Sequence, residues 1–270
     1  MIKLNFKKEL NFWQVASFAR SKQIDFKEVL IQAFNQNVLI DENKDLLKRF
    51  INIFDGKKNI QSQIFQDVFA AFIVENKFEK TFLEFGATDG FELSNSFMLE
   101  KNLFWKGILS EPSPQWHKIL KKNRKDTKVI KKCIWSETGK NLDFFMSEVG
   151  SLSTINDFID NDKTSLPQNT FDRKKSGKII SVETISLNDL ISKYFNDKSP
   201  SYISIDTEGS EYEILKSFDF NKYKPIVLTI EHNYTNLQKK IDELMYAKNY
   251  VRIFNKLTAF DAWYVLKDAI

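Results

Sequence analysis

The sequence predicts an α/β protein: a mostly parallel central sheet with an antiparallel hairpin at its C-terminal end, preceded by a small helical extension. Three observations carry that prediction. Five short apolar runs recur between residues 81 and 230 with helix-like segments between most of them, the pattern of parallel strands covered on both faces. Polar or acidic residues stand at the ends of these runs, and an open parallel sheet gathers such ends at one crevice. A glycine turn, FLEFGATDG over residues 82–90, closes the first run.

Residues 1–58 show helical spacing rather than strand alternation, with Phe12, Trp13, Ala16, Phe18 and Ala19 in one segment and Val29, Leu30, Ala33 and Phe34 in the next. Asp25 followed by Glu28 resembles a capping box, and Gly56 marks a stop for a helix over residues 44–54. These apolar faces either pack on the rest of the chain or form a homodimer interface. Residues 59–270 make the second unit. A helix over 63–76 leads into a buried strand at 81–85, and further strands are expected at 107–109, 128–134, 202–205 and 226–230. Residues 250–257 and 261–267 read as two strands joined by a short turn. Residues 148–178, rich in Ser, Thr, Asn and Asp and holding Pro167 and Gly177, read as one long loop.

Composition bounds the function classes. A hydrophobic fraction of 42% with 14% aromatics excludes general disorder. Forty basic against thirty-six acidic residues leave a net charge of +4. The basic runs Lys121, Lys122, Arg124, Lys125 and Arg173, Lys174, Lys175 read as solvated faces, so nucleic acid is not an expected partner. Cys133 is the one cysteine, which rules out an intrachain disulfide and a thiolate-rich zinc site. The N-terminal residues lack the apolar core of a secretory signal, and the longest apolar run, residues 68–74, falls far short of the roughly 20 residues that span a bilayer. A cytoplasmic protein with no transmembrane segment is expected.

Gly86 and Gly90 can take positive φ and carry no Cβ, so the first strand's turn lets bare backbone approach a ligand. The residues after Gly86 read A-T-D-G and not the second half of G-x-G-x-x-G, which argues against a pyrophosphate cradle and against NAD. Glu84 and Asp89 flank the turn instead. Two carboxylates repel phosphate and attract a cationic, amine-bearing ligand such as S-adenosylmethionine; taken alone, the motif also fits an ordinary strand–turn–helix with solvated acids. Glu111, twenty-one residues after Gly90 and just before Pro112, stands where a carboxylate can accept from both ribose hydroxyls, or is simply an exposed acid. Ile134 and Trp135 offer an apolar slot for adenine and Ser136 a contact to a base nitrogen, with Trp135 equally at home in a core. Trp105, Trp116 and His117 read as packing or surface residues.

FLEFGATDGFELSNS, GILSEPSPQW, VETISLNDLI, YISIDTEGSEYEILKSF and IVLTIEHN, in that order and spacing, resemble the FkbM-type family of S-adenosylmethionine-dependent methyltransferases over roughly residues 80–255. The segment DTEGSEYEIL is the most specific piece. The resemblance implies a Rossmann-like methyltransferase fold, methyl transfer to a hydroxyl, often on a sugar or a secondary metabolite, and a small-molecule or glycan acceptor such as polysaccharide biosynthesis would supply. It implies that Glu84, Gly86, Ala87, Asp89 and Gly90 form the cofactor turn, that Ser94 and Asn95 begin its helix, and that Glu111, beside Pro112, meets the ribose. Asp206 and Glu208 match the family's D-x-E-G element; Glu84 departs from it, since Asp or a small polar residue is commoner there.

Methyl transfer to a hydroxyl needs a base or a metal to take up the acceptor's proton. His232 is the first choice of base, its alternative being to orient Glu231 or to cap the strand. Asp206, Glu231 and His232 are also a candidate set for a divalent ion, Mg or Mn, as in metal-dependent catechol-type methyltransferases, with Glu208 then standing behind these ligands or contacting substrate. Asn156, Arg173 and Lys174 are candidates for a polar or anionic acceptor, and Phe144, Phe145 and residues 151–171 for shaping its site. The rivals are a noncatalytic protein that keeps a nucleotide-type fold for assembly and an NAD-dependent oxidoreductase.

Overall fold

The structure, a computed structural model, describes residues 3–54, 59–75 and 77–270. Three helices open it: α1 (Phe12–Lys22), α2 (Phe26–Asn35) and α3 (Lys44–Asn52). Each starts on a side chain that accepts a backbone N–H left free by the first turn: Asn11 from Gln14, Asp25 from Glu28 and Asn43 from Leu46. The Asp25 cap is therefore where the sequence puts it, whereas the Gly56 stop lies outside the described residues. Helix α4 (Gln66–Val74) begins later than the expected residue 63, because Phe65 is turned into the left-handed region at φ 76° and breaks the first turn; Asn76, its expected end, lies outside the described residues.

The strands and helices that follow alternate. They are β1 (Thr81–Phe85), α5 (Phe97–Leu103), β2 (Lys106–Ser110), α6 (His117–Asn123), β3 (Lys128–Ile130) and β4 (Cys133–Trp135). Next come β5 (Asn141–Ser147), β6 (Thr154–Ile155), α7 (Pro167–Lys175), β7 (Gly177–Ser186), α8 (Leu187–Phe195) and β8 (Tyr202–Ile205). The chain ends with α9 (Glu211–Ser217), β9 (Val227–Glu231), α10 (Leu237–Ala247), β10 (Tyr250–Ile253) and β11 (Asp261–Leu266). The main sheet runs β3-β2-β1-β8-β9-β11-β10. Its first five strands are parallel, and β11 is antiparallel to both neighbours, which is the expected C-terminal hairpin with its second strand tucked inward. Strand order turns around between β1 and β8, so their carboxyl ends flank a crevice.

Side-chain alternation along the strands feeds two cores. Phe82, Tyr202, Val227 and Trp263 face α1–α4, whereas Leu83, Ile203, Leu228 and Tyr264 face α8–α10. Phe12 of α1 stacks on Trp263 at 5.6 Å, and its N–H donates to the Leu257 carbonyl at 3.0 Å. The apolar faces of α1 and α2 (Phe12, Ala16, Ala19, Val29, Leu30, Ala33) are thus buried within the chain, where each large side chain contributes about 1.5–3 kcal/mol.

Three local expectations are corrected. The single strand over residues 128–134 is two, because the chain turns at Lys131–Lys132: β3 pairs with β2, while β4 joins a second sheet of order β4-β7-β5-β6. The long loop at 148–178 carries β6 and α7; Pro167 stands at the start of that helix and three basic residues at its end, both ordinary helix signals in a segment whose polarity hid them. The helix after Gly90 starts only at Phe97, for a reason that lies in the site. No helix among the described residues is long and apolar enough to cross a membrane.

Candidate active site

A cavity of about 620 Å³ opens at the carboxyl ends of β1, β2, β8 and β9. Gly86, at φ +67°, lies so close to the end of β8 that a Cβ would stand 2.0 Å from the Asp206 carbonyl oxygen, which makes glycine obligatory there. Glu84 ends β1 buried. Its carboxylate accepts from the Asn95 N–H at 2.7 Å, from the Ser94 hydroxyl at 3.0 Å and from the Ser96 hydroxyl. Asp89 accepts the N–H groups of Phe91 and Glu92, both at 2.8 Å. These two acids fold residues 91–96 into turns and so delay α5. The fully buried Arg124 braces them, donating to the Gly90 carbonyl, to Ser94 and Ser96, and to Glu100.

Glu111, beyond β2, accepts from the N–H of Thr88 and of Ser113, both at 2.8 Å, one bond on each oxygen. Burial, with the Asp206 charge nearby, pushes its carboxyl up to about 7. His117, expected on the surface, contacts the Glu111 carbonyl through Nε2 at 2.9 Å.

Beyond β8 the D-T-E-G turn is strained. Glu208 adopts φ 59°, and a Cβ on Gly209 would meet the Asn161 side chain at 2.7 Å. Glu211 holds the turn by accepting from the N–H groups of Thr207 and Gly209 and from the Thr207 hydroxyl. Oxygens of Asp206, Glu208 and Glu231 lie within 4.8 Å of one another. Burial and like charge raise all three carboxyls, Asp206 to about 7 and the other two well above their ordinary range. Arg173, expected as a solvated or acceptor-binding residue, is fully buried: it donates to Asp162 at 2.7 Å and to Glu208 at 2.6 Å, fastening the 148–178 segment over the cavity. Lys174 pairs with Asp160 at the surface.

The structure brings Glu84, Gly86, Ala87, Asp89, Ser94, Asn95, Glu111, Pro112, Ile134, Asp206, Glu208 and Glu231 to the cavity wall. Gly90, Trp135, Ser136, Asn156 and His232 do not line it. Gly90 packs under Leu120 and Arg124, and the Trp135 ring stands against Phe158 at 6.0 Å. His232 needs the fullest correction. Its Nδ1 accepts the Tyr234 N–H at 3.0 Å, and its Nε2 lies 3.3 Å from Arg252. Burial, followed by the Arg252 charge, pushes the ring's pKa down to about 3. In this geometry both ring nitrogens are engaged and the ring stands off the cavity wall, and the acid group at the strand ends contains Glu208 in its place.

Sequence reasoning missed Trp13, Gln63, Trp116, Asn233, Tyr234 and Phe260, all on the wall, whereas Asn169 falls within the 151–171 segment expected there. Asn233 and Tyr234 directly follow a strand end and were legible as such; Trp13 and Gln63 precede the resembling segment and gave no signal. The wall carries the carboxylates of Glu84, Asp89, Glu92, Glu111, Asp206, Glu208 and Glu231 and, among the described residues, no lysine, arginine or histidine.

A seven-stranded sheet with one reversed strand, and a cavity at the turning point of its strand order, define a Rossmann-like methyltransferase. The model of the methyltransferase FkbM domain matches residues 84–253, more than half of the chain. The chain belongs to this family of S-adenosylmethionine-dependent methyltransferases. Among solved structures it is similar to the precorrin-6y C5,15-methyltransferase of Geobacter metallireducens GS-15 (12% identity, 78% of this chain and 90% of that one, TM-score 0.38). It is also similar to an O-methyltransferase of Bacillus cereus in complex with SAH (14% identity, 88% and 97%, TM-score 0.38). No curated protein matches it.

Proposed function

We propose that the protein transfers the methyl group of S-adenosylmethionine to a hydroxyl of a sugar, a glycan or a glycan precursor. The observation that carries the donor half is the cavity wall itself: seven acidic side chains, with no cationic side chain among the described residues of the wall, suit a sulfonium with an amine better than an anion. In this reading Gly86 and Ala87 give the donor backbone to lie on, Glu111 meets the ribose, and the ends of β8 and β9 meet the reacting centre. The acceptor oxygen attacks the methyl carbon in line. The carbon–sulfur bond breaks with its electron pair passing to sulfur, and the hydroxyl proton goes to the Asp206–Glu231 pair, whose raised basicity suits it better than an ordinary carboxylate.

Asp206, Glu208 and Glu231 also form an all-oxygen, anionic set that fits a hard divalent ion such as Mg or Mn, which when bound would polarise and orient the acceptor oxygen. Residues 59–270 then carry the chemistry, and residues 1–58 wall one end of the cavity through Trp13.

Two measurements test this. Calorimetric titration should show uptake of S-adenosylhomocysteine and none of NAD; the reverse result ends the methyltransferase reading for this site. Glu231→Gln should then lower kcat for methyl transfer to sugar hydroxyls about 100-fold while S-adenosylhomocysteine still binds. Dialysis against a chelator before the assay separates the two ways of handling the proton: unchanged activity leaves it to the carboxylates alone.

A further inference from the structure

The far end of the cavity is aromatic, and part of it comes from outside the segment that matches the family. Trp13 stands edge-on to Phe260 at 6.1 Å, and both line the cavity together with Tyr234. The backbone that carries each ring is held from behind. Asn11 and Gln14 close a capping box at the first turn of α1, with bonds of 2.9 and 3.0 Å, while the neighbouring Phe12 is locked against Trp263. The Phe260 carbonyl accepts the N–H groups of His232 and Asn233 at 2.9 and 3.1 Å. His232 accepts the Tyr234 N–H, and its ring stands edge-on to the Tyr234 ring at 5.8 Å. That bracket also gives a buried, uncharged histidine its reason to be there.

Trp13 is nonetheless 38% exposed and Tyr234 51% exposed, unusual for aromatic side chains whose backbones are held so firmly. Ring faces are electron-rich and attract C–H bonds that carry partial positive charge, as those on the face of a sugar ring do. Glu231 and Asn233, on the same wall, supply acceptors and an amide for the hydroxyls at that ring's edge. A phosphate, pyrophosphate or carboxylate on the acceptor would meet seven acids and no cationic side chain among the described residues of the wall.

We propose that Trp13, Tyr234 and Phe260 form the acceptor platform and that the acceptor is an uncharged sugar residue, not a nucleotide-linked or acidic one. This rests on the methyl-transfer reading above and narrows it. Trp13 and Tyr234 set specificity by stacking, and Glu231 with Asp206 meets the hydroxyl that the stack presents.

The test compares matched acceptors with S-adenosylmethionine as donor: neutral methyl glycosides, the same sugars linked to UDP, and the corresponding uronic acids. Neutral sugars should be preferred at least about tenfold in kcat/KM. Preference for the UDP-linked or acidic forms overturns the inference and leaves the glycan reading standing. Transfer to polyketide or peptide hydroxyls with none to any sugar overturns both. Trp13→Ala and Tyr234→Ala should each raise the KM for a neutral glycoside about tenfold or more, with S-adenosylhomocysteine affinity unchanged and Trp13→Phe close to the parent. Tyr234 is the safeguard, since its exposed ring can be removed without opening the core. An unchanged KM in Tyr234→Ala, or an equal loss of S-adenosylhomocysteine affinity, overturns the platform.

Discussion

The two ends of the cavity are built differently. At the end between β1 and β2, where we propose the donor lies, Glu84, Asp89 and Glu111 spend their carboxylates on the backbone around them, so the turn is shaped by its own acids. The far end is assembled from pieces distant in sequence: Trp13 from α1, Asn233 and Tyr234 beyond β9, and Phe260 from the hairpin turn. In the proposed reading, a donor common to the family takes the end that local sequence specifies, and an acceptor particular to this chain takes the end whose segments depend on the whole fold.

The strongest way to break this contrast is Gly86→Ala. The new Cβ has no room against the Asp206 carbonyl and the backbone is already at positive φ, so a loss of about 4 kcal/mol or more is expected in denaturant unfolding. Binding of S-adenosylhomocysteine should disappear by calorimetry. Retained binding would mean that the donor does not lie on this turn.

Arg173→Met probes the segment that covers the cavity. It leaves Asp162 and Glu208 without their buried partner, at a cost on the order of 3 kcal/mol, and unfastens the 148–178 segment. Limited proteolysis should then cut within that segment while S-adenosylhomocysteine affinity stays near the parent. Loss of donor binding in proportion would tie that segment to the donor end.

How much of this was legible in the sequence follows the same line. β1 and β8 are found at the residues expected, because short fully apolar runs bounded by polar residues have few other readings. The acids at the strand ends and the glycine turn were also legible, since their chemistry is local. β5 and β7 went unread because their outward residues are polar and their partners lie across a long excursion. His232 was misread because its position after a strand end is visible in the sequence, whereas Arg252 and the Tyr234 N–H, which occupy its ring, come only with the fold. Trp13 reads as one more apolar residue of a helix until α1 is placed on the sheet.

The pH dependence sharpens the contrast further. In the proposed mechanism Asp206 must be ionised to take up the proton, and its carboxyl is pushed up to about 7, first by burial and then by the Glu211 charge. Activity should therefore fall about tenfold for each pH unit below that value. Stability moves the other way. Asp67, Glu111, Asp206 and Asp261 all sit near 7 in the fold against about 4 in the unfolded chain, so their contribution is complete below about 4 and is lost as the pH climbs to about 7. Thermal melts of the ligand-free protein across pH 5–8 should show a falling midpoint. A midpoint that rises over that range would deny the buried acids their raised values.

The smallest expected effect is also the most selective. Asn11→Ala removes the cap of α1 and with it the bond to the Gln14 N–H, costing about 1 kcal/mol and lowering the melting midpoint by a few degrees. Phe12 remains stacked on Trp263, so the helix stays in place while its first turn frays around Trp13. The KM for the acceptor should then rise a few-fold while S-adenosylhomocysteine affinity stays at the parent value, a split that a general loss of stability would not produce. Equal weakening of both ligands would show that the first turn of α1 supports the whole cavity and that the division between its two ends is not an energetic one.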